Sequence, residues 1–319
     1  MIRLVTFRFT QDGLRGMSMS SNRKIALIGA PLCDGERERG VEKAPSALRA
    51  AGLLDSLRGV AEVIDFGDLS LPVPIPDQIT GKLRNLESTV AGCQLILGKV
   101  SSVLSQGYFP LIIGGDCSLF PAAIAAIKGT YEDAQSIYFD GDADFHTPET
   151  TSSGYFSGMD VATVIGQGPE KLTTLSNSYP IIAKSAITLL GVRKTNVDPV
   201  EFANLNRSRI RIIWNDELIL QNANKLIIEK TKISKPVYLH FDVDALDARE
   251  MPAQAGIKSG VHTPGGLSMA DTVAICSNLS RLPLVGFEVT LYDPNLDPEQ
   301  TYARKIVQLV TCVIKSASE

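Results

Sequence analysis

From residue 24 onward, short apolar runs alternate with longer stretches in which apolar residues recur at helical spacing. This alternation predicts repeated βα units around a mostly parallel sheet. The runs of strand length cover residues 24–30, 60–65, 109–114, 135–140, 186–192, 209–214, 236–241 and 283–291. The helical stretches lie near 45–57, 80–106, 118–128, 158–166, 216–231, 268–280 and 300–315, with starts marked by Pro45-Ser46 and by Ser268. Units in this number fit either a closed barrel or an open doubly wound sheet, and periodicity does not separate the two. Both architectures put the active site beyond the C-terminal ends of the strands, so the residues that follow each strand carry the functional reading. Residues 1–23, with Gly13, Gly16 and Ser18-Met19-Ser20-Ser21, read as a flexible extension ahead of a single domain over 24–319.

Charge and composition narrow the class of function. The 319 residues carry 31 Lys plus Arg against 35 Asp plus Glu, a net charge of -4, and the longest basic cluster is the short Arg207-Ser208-Arg209-Ile210-Arg211. Nucleic acid is not the expected partner. Apolar runs fall short of the ~18 residues of a membrane span, and the N-terminus lacks a continuous signal-peptide core, so a cytoplasmic protein is expected. The five cysteines, Cys33, Cys93, Cys117, Cys276 and Cys312, are scattered without CxxC spacing and read mainly as buried thiols.

Acids gather behind several strands. The strand ending at residue 114 runs into Gly114-Gly115-Asp116-Cys117-Ser118, where the glycines permit a tight turn and Ser118 can cap the next helix. The next runs into Asp140-Gly141-Asp142-Ala143-Asp144, and side-chain alternation aims all three carboxylates the same way if the extended chain persists. A third repeats the device with Asp242-Val243-Asp244, followed by Asp247. Five carboxylates in one pocket raise each other's proton affinity unless positive charge lies among them. Hard divalent ions such as Mn²⁺ or Mg²⁺, two of them sharing carboxylates, answer that need; Arg193 and Lys194 are the alternative source of charge. Cys117 reads as a small packing residue or as a ligand. Of the histidines His146, His240 and His262, alternation puts His240 on the face of Asp242, where it either supports the site or fills the core.

These motifs, in this order, resemble the ureohydrolase family of arginases, agmatinases and formimidoylglutamases over nearly all of residues 24–312. The resemblance is carried by Ile28-Gly29-Ala30-Pro31, Arg39-Gly40, Ala44-Pro45-Ser46-Ala47-Leu48-Arg49, Gly114-Gly115-Asp116, Thr147-Pro148-Glu149-Thr150, Phe241-Asp242-Val243-Asp244-Ala245-Leu246-Asp247 and Pro264-Gly265-Gly266-Leu267. It implies a three-layer α/β/α fold with an open eight-stranded parallel sheet, a binuclear Mn²⁺ centre, and a homo-trimer or hexamer. Carried over by position, the metal ligands become Cys117, Asp140, Asp142, Asp144, Asp242 and Asp244. The family has histidine where this chain has Cys117 and Asp142, which makes the cage more anionic and alters its metal preference.

The resemblance also assigns the groups around the substrate. Ser157 stands where arginases carry a proton-shuttling histidine, and His146 where they carry an asparagine that holds the amino-acid end of substrate. Ser153 matches a serine with that same task, while Asp198 and Glu201 resemble acids that read the substrate amine. Leu291 falls at the guanidinium-binding glutamate unless a register shift brings in Glu288. The expected activity is metal-dependent hydrolysis of a C–N bond in a guanidino- or amidino-type small molecule other than plain arginine. Asp144 would hold the nucleophile, and His146, or water through Ser157, would protonate the leaving amine. The rival expectation is a non-catalytic relative that keeps the fold and binds a ligand or partner.

Overall fold

The computed structural model describes residues 24–35, 39–73, 78–220, 235–256 and 265–318. The expected extension over 1–23, His262 and the part of a helix expected beyond residue 220 lie outside these residues. Among them, one sheet has eight strands in the order β2-β1-β5-β10-β9-β6-β7-β8. These are β1 (Lys24–Ala30), β2 (Glu62–Asp68), β5 (Phe109–Gly114), β6 (Gln135–Phe139), β7 (Ile187–Leu190), β8 (Arg211–Ile213), β9 (Val237–Asp242) and β10 (Leu284–Thr290). A separate hairpin pairs β3 (Ile79–Thr80) with β4 (Leu83–Arg84). Every pairing within the large sheet is parallel, and β2 and β8 form its open edges. The barrel alternative is thereby excluded.

Strand alternation divides the core. Ile25, Leu27, Leu111, Ile113, Leu239 and Phe241 enter one apolar cluster, while Ala26, Ile28, Ile112, Tyr138 and Tyr238 enter the other. The first is covered by α1 (Ala44–Ala50), α2 (Leu53–Arg58), α9 (Met269–Leu279) and α10 (Thr301–Ser318). The second is covered by α3 (Leu86–Ser105), α4 (Phe120–Thr130) and α5 (Asp160–Val164). The central strands are buried on both faces and read as continuous apolar runs, whereas the edge strand β2 has no buried residue. The remaining helices are α6 (Glu170–Thr173), α7 (Pro199–Ser208) and α8 (Asn215–Leu220). The apolar periodicity does not announce α7; its signal is Asp198-Pro199, an N-cap followed by proline at the first helical position. The helix expected from residue 80 starts only at Leu86, because the hairpin occupies the chain before it.

Gly115 is required by closeness rather than by backbone angle. Its amide donates to the Ala30 carbonyl at 3.0 Å. A Cβ there would lie 1.8 Å from the Leu32 carbonyl oxygen, so any side chain would push β1 and β5 apart at the strand ends that carry the site.

Candidate metal centre

β5, β10, β9 and β6 are consecutive in the middle of the sheet. Parallel register sets Tyr138 opposite His240 and His240 opposite Glu288, and one residue pair further on sets Asp242 opposite Thr290. Neighbouring strands are about 4.8 Å apart, so side chains within such a row touch. The Tyr138 and His240 rings stack with centroids 3.9 Å apart. Glu288 Oε1 lies 2.5 Å from His240 Nδ1, and the Tyr238 hydroxyl donates to the other Glu288 oxygen. Toward the strand ends, Cys117 Sγ is 2.7 Å from Asp242 Oδ2, and the Thr290 hydroxyl donates to that same oxygen at 3.1 Å.

Ligand atoms of Cys117, Asp140, His240 and Asp242 all lie within 4.8 Å of one another, and all four residues are buried. His240 Nε2 and Asp140 Oδ2 are 3.7 Å apart, and neither has a hydrogen-bond partner among the described residues. Buried polar atoms left in that state destabilise the fold by ~1–3 kcal/mol each unless a further group satisfies them. Burial, reinforced by Asp244 and Asp142, pushes the Asp140 carboxyl well above the usual carboxylate range. Burial followed by Asp244 and Asp140 does the same to Asp242. The Cys117 thiol is pushed up by burial and by Asp242. A divalent cation reverses that logic, because it favours the deprotonated form of each donor. A sulfur, an imidazole nitrogen and carboxylate oxygens within one ion's reach, two of the atoms otherwise orphaned, are a donor set that fits a divalent metal.

The structure brings together Cys117, Asp140 and Asp242 from the expected ligands and adds His240. Asp142, Asp144 and Asp244 fall outside that four-residue group, although Asp244 lies against Asp140. The extended chain does not persist past Phe139, where β6 ends, and Asp144 adopts a left-handed φ of 45°. The three carboxylates therefore diverge. Asp142 Oδ1 accepts from Asn196 Nδ2 at 2.5 Å, and Asp144 Oδ2 accepts from the Tyr138 hydroxyl at 2.5 Å. Asp244 Oδ1 accepts from the Gly141 amide at 3.0 Å. Arg193, 3% exposed, lies between two of them, its Nη2 4.0 Å from Asp142 Oδ1 and 4.0 Å from Asp244 Oδ2. Lys194 instead reaches Asp216 on the surface. Burial, then the Asp140 charge, raises the Asp144 carboxyl as well.

The expected substrate groups have partners of their own. His146 Nε2 is 3.3 Å from Asp198 Oδ2 and 4.0 Å from Glu201 Oε2. Glu201 Oε1 accepts from the Phe145 amide at 2.8 Å, and burial raises this carboxyl to about 7. Asp198 also caps α7, accepting from the amides of Val200 and Glu201 through Oδ1. The Ser157 hydroxyl donates to the Gly35 carbonyl at 2.6 Å. Ser153 Oγ accepts from the Tyr155 amide at 3.2 Å. Leu291 is buried with φ 68°, and Glu288, three residues earlier, pairs with His240 and Tyr238.

Sequence reasoning left His240 undecided and did not reach Tyr138 or Thr290. The signal was the two-residue period: Tyr138 and Asp140, His240 and Asp242, and Glu288 and Thr290 are three such pairs. Which strands bring the pairs side by side depends on sheet order.

Comparison with known proteins shows the family. The profile of the arginase family matches residues 23–315. Human mitochondrial arginase-2 is 30% identical over 322 residues, covering 97% of this chain and 89% of the human protein. An arginase of Staphylococcus aureus is 29% identical over 300 residues, covering 92% and 97%. The solved structure of arginase from Bacillus caldovelox superposes with a TM-score of 0.84 at 28% identity, covering 92% of this chain and 98% of its own. With its open parallel sheet and its acids at the central strand ends, the chain belongs to the arginase family.

Proposed function

We propose that this chain is a metal-dependent hydrolase that cleaves a C–N bond of a guanidino- or amidino-type small molecule other than plain arginine. The observation that carries the reading is the convergence of Cys117, Asp140, His240 and Asp242 at the central strand ends of an arginase-family fold. These residues would hold the metal. When bound, a divalent ion there supplies Lewis acidity at the planar carbon and makes water acidic enough to act as nucleophile.

The chain's own groups do the rest. Asp144, steadied by the Tyr138 hydroxyl, holds the attacking water by hydrogen bond. His146 is the group that delivers a proton to the leaving amine, its imidazole oriented by Asp198 and Glu201. Ser157 replaces a titratable shuttle with a hydroxyl whose own proton is engaged by Gly35, which suits a leaving group that needs less help. Ser153, Asp198 and Glu201 meet the far end of the substrate. The apolar Leu291 disfavours an unmodified guanidinium beside it, because a buried cation without a carboxylate partner is strongly penalised. A homo-trimer or hexamer and a reducing compartment such as the cytoplasm suit the family and the five free thiols. Among the described residues no helix is long and apolar enough to cross a membrane.

The test is release of urea or amine across a panel of guanidino and amidino compounds, with the protein loaded in turn with Mn²⁺, Co²⁺, Ni²⁺ and Zn²⁺. Turnover of a modified guanidine ahead of arginine is expected. No release from any compound with any metal removes the enzyme reading, and arginine as best substrate removes the specificity.

A further inference from the structure

We infer that this chain holds one divalent ion rather than a pair, a Zn²⁺-class ion bound by Cys117, Asp140, His240 and Asp242, and that the Arg193 guanidinium stands in for the second ion. The inference builds on the metal-dependent reading above and refines it from the donors present. Glu288 Oε1, 2.5 Å from His240 Nδ1, is placed to accept a hydrogen bond from an Nδ1–H tautomer. That leaves the Nε2 lone pair facing the group, the arrangement by which a buried carboxylate orients a metal-binding imidazole. Nε2 then confronts Asp140 Oδ2 at 3.7 Å, both fully buried and both without hydrogen-bond partners among the described residues. Two acceptors this close in a dry interior need positive charge between them, and a metal ion supplies it while engaging both.

The chemistry of the donors selects the cation. A thiolate and an imidazole favour Zn²⁺ or Co²⁺, whereas a cage of oxygens favours Mn²⁺. A catalytic Zn²⁺ takes three protein donors and a water and can expand to five-coordinate, so this group of four supplies enough donors for one ion with a water still bound. The carboxylates that a second ion would need are already engaged. Asp142 and Asp244 are each 4.0 Å from Arg193 Nη2, and Arg193 Nη1 donates to the Asp244 carbonyl at 2.7 Å. A guanidinium anchored there supplies the positive charge that would otherwise come from a metal.

The full chain, stripped with chelator, is reloaded separately with Zn²⁺, Co²⁺ and Mn²⁺, desalted and analysed for metal. One Zn²⁺ or Co²⁺ per chain is expected, with Mn²⁺ well below one. The Co²⁺ protein should show a thiolate-to-cobalt charge-transfer band in the near ultraviolet. Cys117→Ser should lose that band, and Glu288→Gln should keep it while weakening Co²⁺ affinity ~10–100-fold. Two ions per chain, no ion, a wild-type cobalt spectrum without the band, or unchanged affinity in Glu288→Gln overturns the inference. If Cys117→Ser fails to fold, the wild-type spectrum and stoichiometry decide alone. Turnover is read separately: one bound Zn²⁺ without hydrolysis removes the proposed activity and leaves this site standing, while turnover with two Mn²⁺ does the reverse.

Discussion

Arg193 Nη1 donates to the backbone carbonyl of Asp244 at 2.7 Å, and this contact fixes a 3% exposed guanidinium between two strand-end carboxylates. The Nε and Nη2 atoms of that guanidinium have no hydrogen-bond partner among the described residues, so its attraction is directed at charge rather than at a fitted acceptor. Arg193→Met leaves the carboxylates uncompensated, and breaking a buried charge pair from one side costs ~3–5 kcal/mol. Urea unfolding in chelator should show a loss of that size, partly recovered when a divalent ion is added. A loss below ~1 kcal/mol would mean that solvent, not Arg193, balances these acids.

Leu291 has a left-handed backbone conformation and stands at the position where the family resemblance puts a guanidinium-reading glutamate. A charge-assisted hydrogen bond contributes ~1.5–3 kcal/mol, about tenfold or more in affinity. Calorimetric titration of Leu291→Glu with arginine should show at least that gain over the parent chain. Equal affinities would place the substrate's cationic end elsewhere.

Stability should fall as pH rises through the range set by Glu201. Burial raises this carboxyl from 4.5 to about 7 in the folded chain, so the folded state binds its proton more tightly than the unfolded state. Its contribution is complete below pH ~4.5 and is lost progressively up to about pH 7, roughly 3 kcal/mol by linkage. Asp142 and Asp198 add to the shift, and His146 lies 4.0 Å away. Denaturant midpoints between pH 5 and pH 8 should decline less in Glu201→Gln, which keeps an acceptor for the Phe145 amide. Parallel declines in the two proteins would assign the pH dependence to another group.

Asp198 has two duties that substitution separates. As N-cap of α7 it accepts two amides, and Asp198→Ala should lose ~1 kcal/mol while Asp198→Asn, also a good cap, loses little. If Asp198 also reads a substrate amine, both variants raise KM. A KM moved only by alanine would reduce the role to helix capping.

Gly115→Ala tests the close approach of β1 and β5. The added methyl group would meet the Leu32 carbonyl oxygen at 1.8 Å, and a backbone atom cannot step aside as a flexible side chain can. A loss of about 3 kcal/mol or more is expected in thermal or denaturant unfolding. A near-neutral result would show that the strand ends can separate freely.

The parallel α/β class and the approximate place of every strand in the large sheet were legible in the sequence. Strands buried on both faces must be apolar throughout, and the covering helices must carry an apolar stripe. The acids behind β5, β6 and β9 were legible for the same reason, since strand ends in such a sheet are where polar groups meet a crevice. What only the tertiary structure decided is which donors meet. The β6-β9-β10 neighbourhood joins residues about 100 and 50 positions apart, Tyr138 with His240 and His240 with Glu288, and local spacing cannot encode strand order. The turn after Phe139 sends Asp140, Asp142 and Asp144 to different partners, because side chains alternate only while the chain stays extended. A histidine that spacing left ambiguous becomes a ligand candidate when one neighbouring strand supplies a glutamate behind it and the other an aspartate in front.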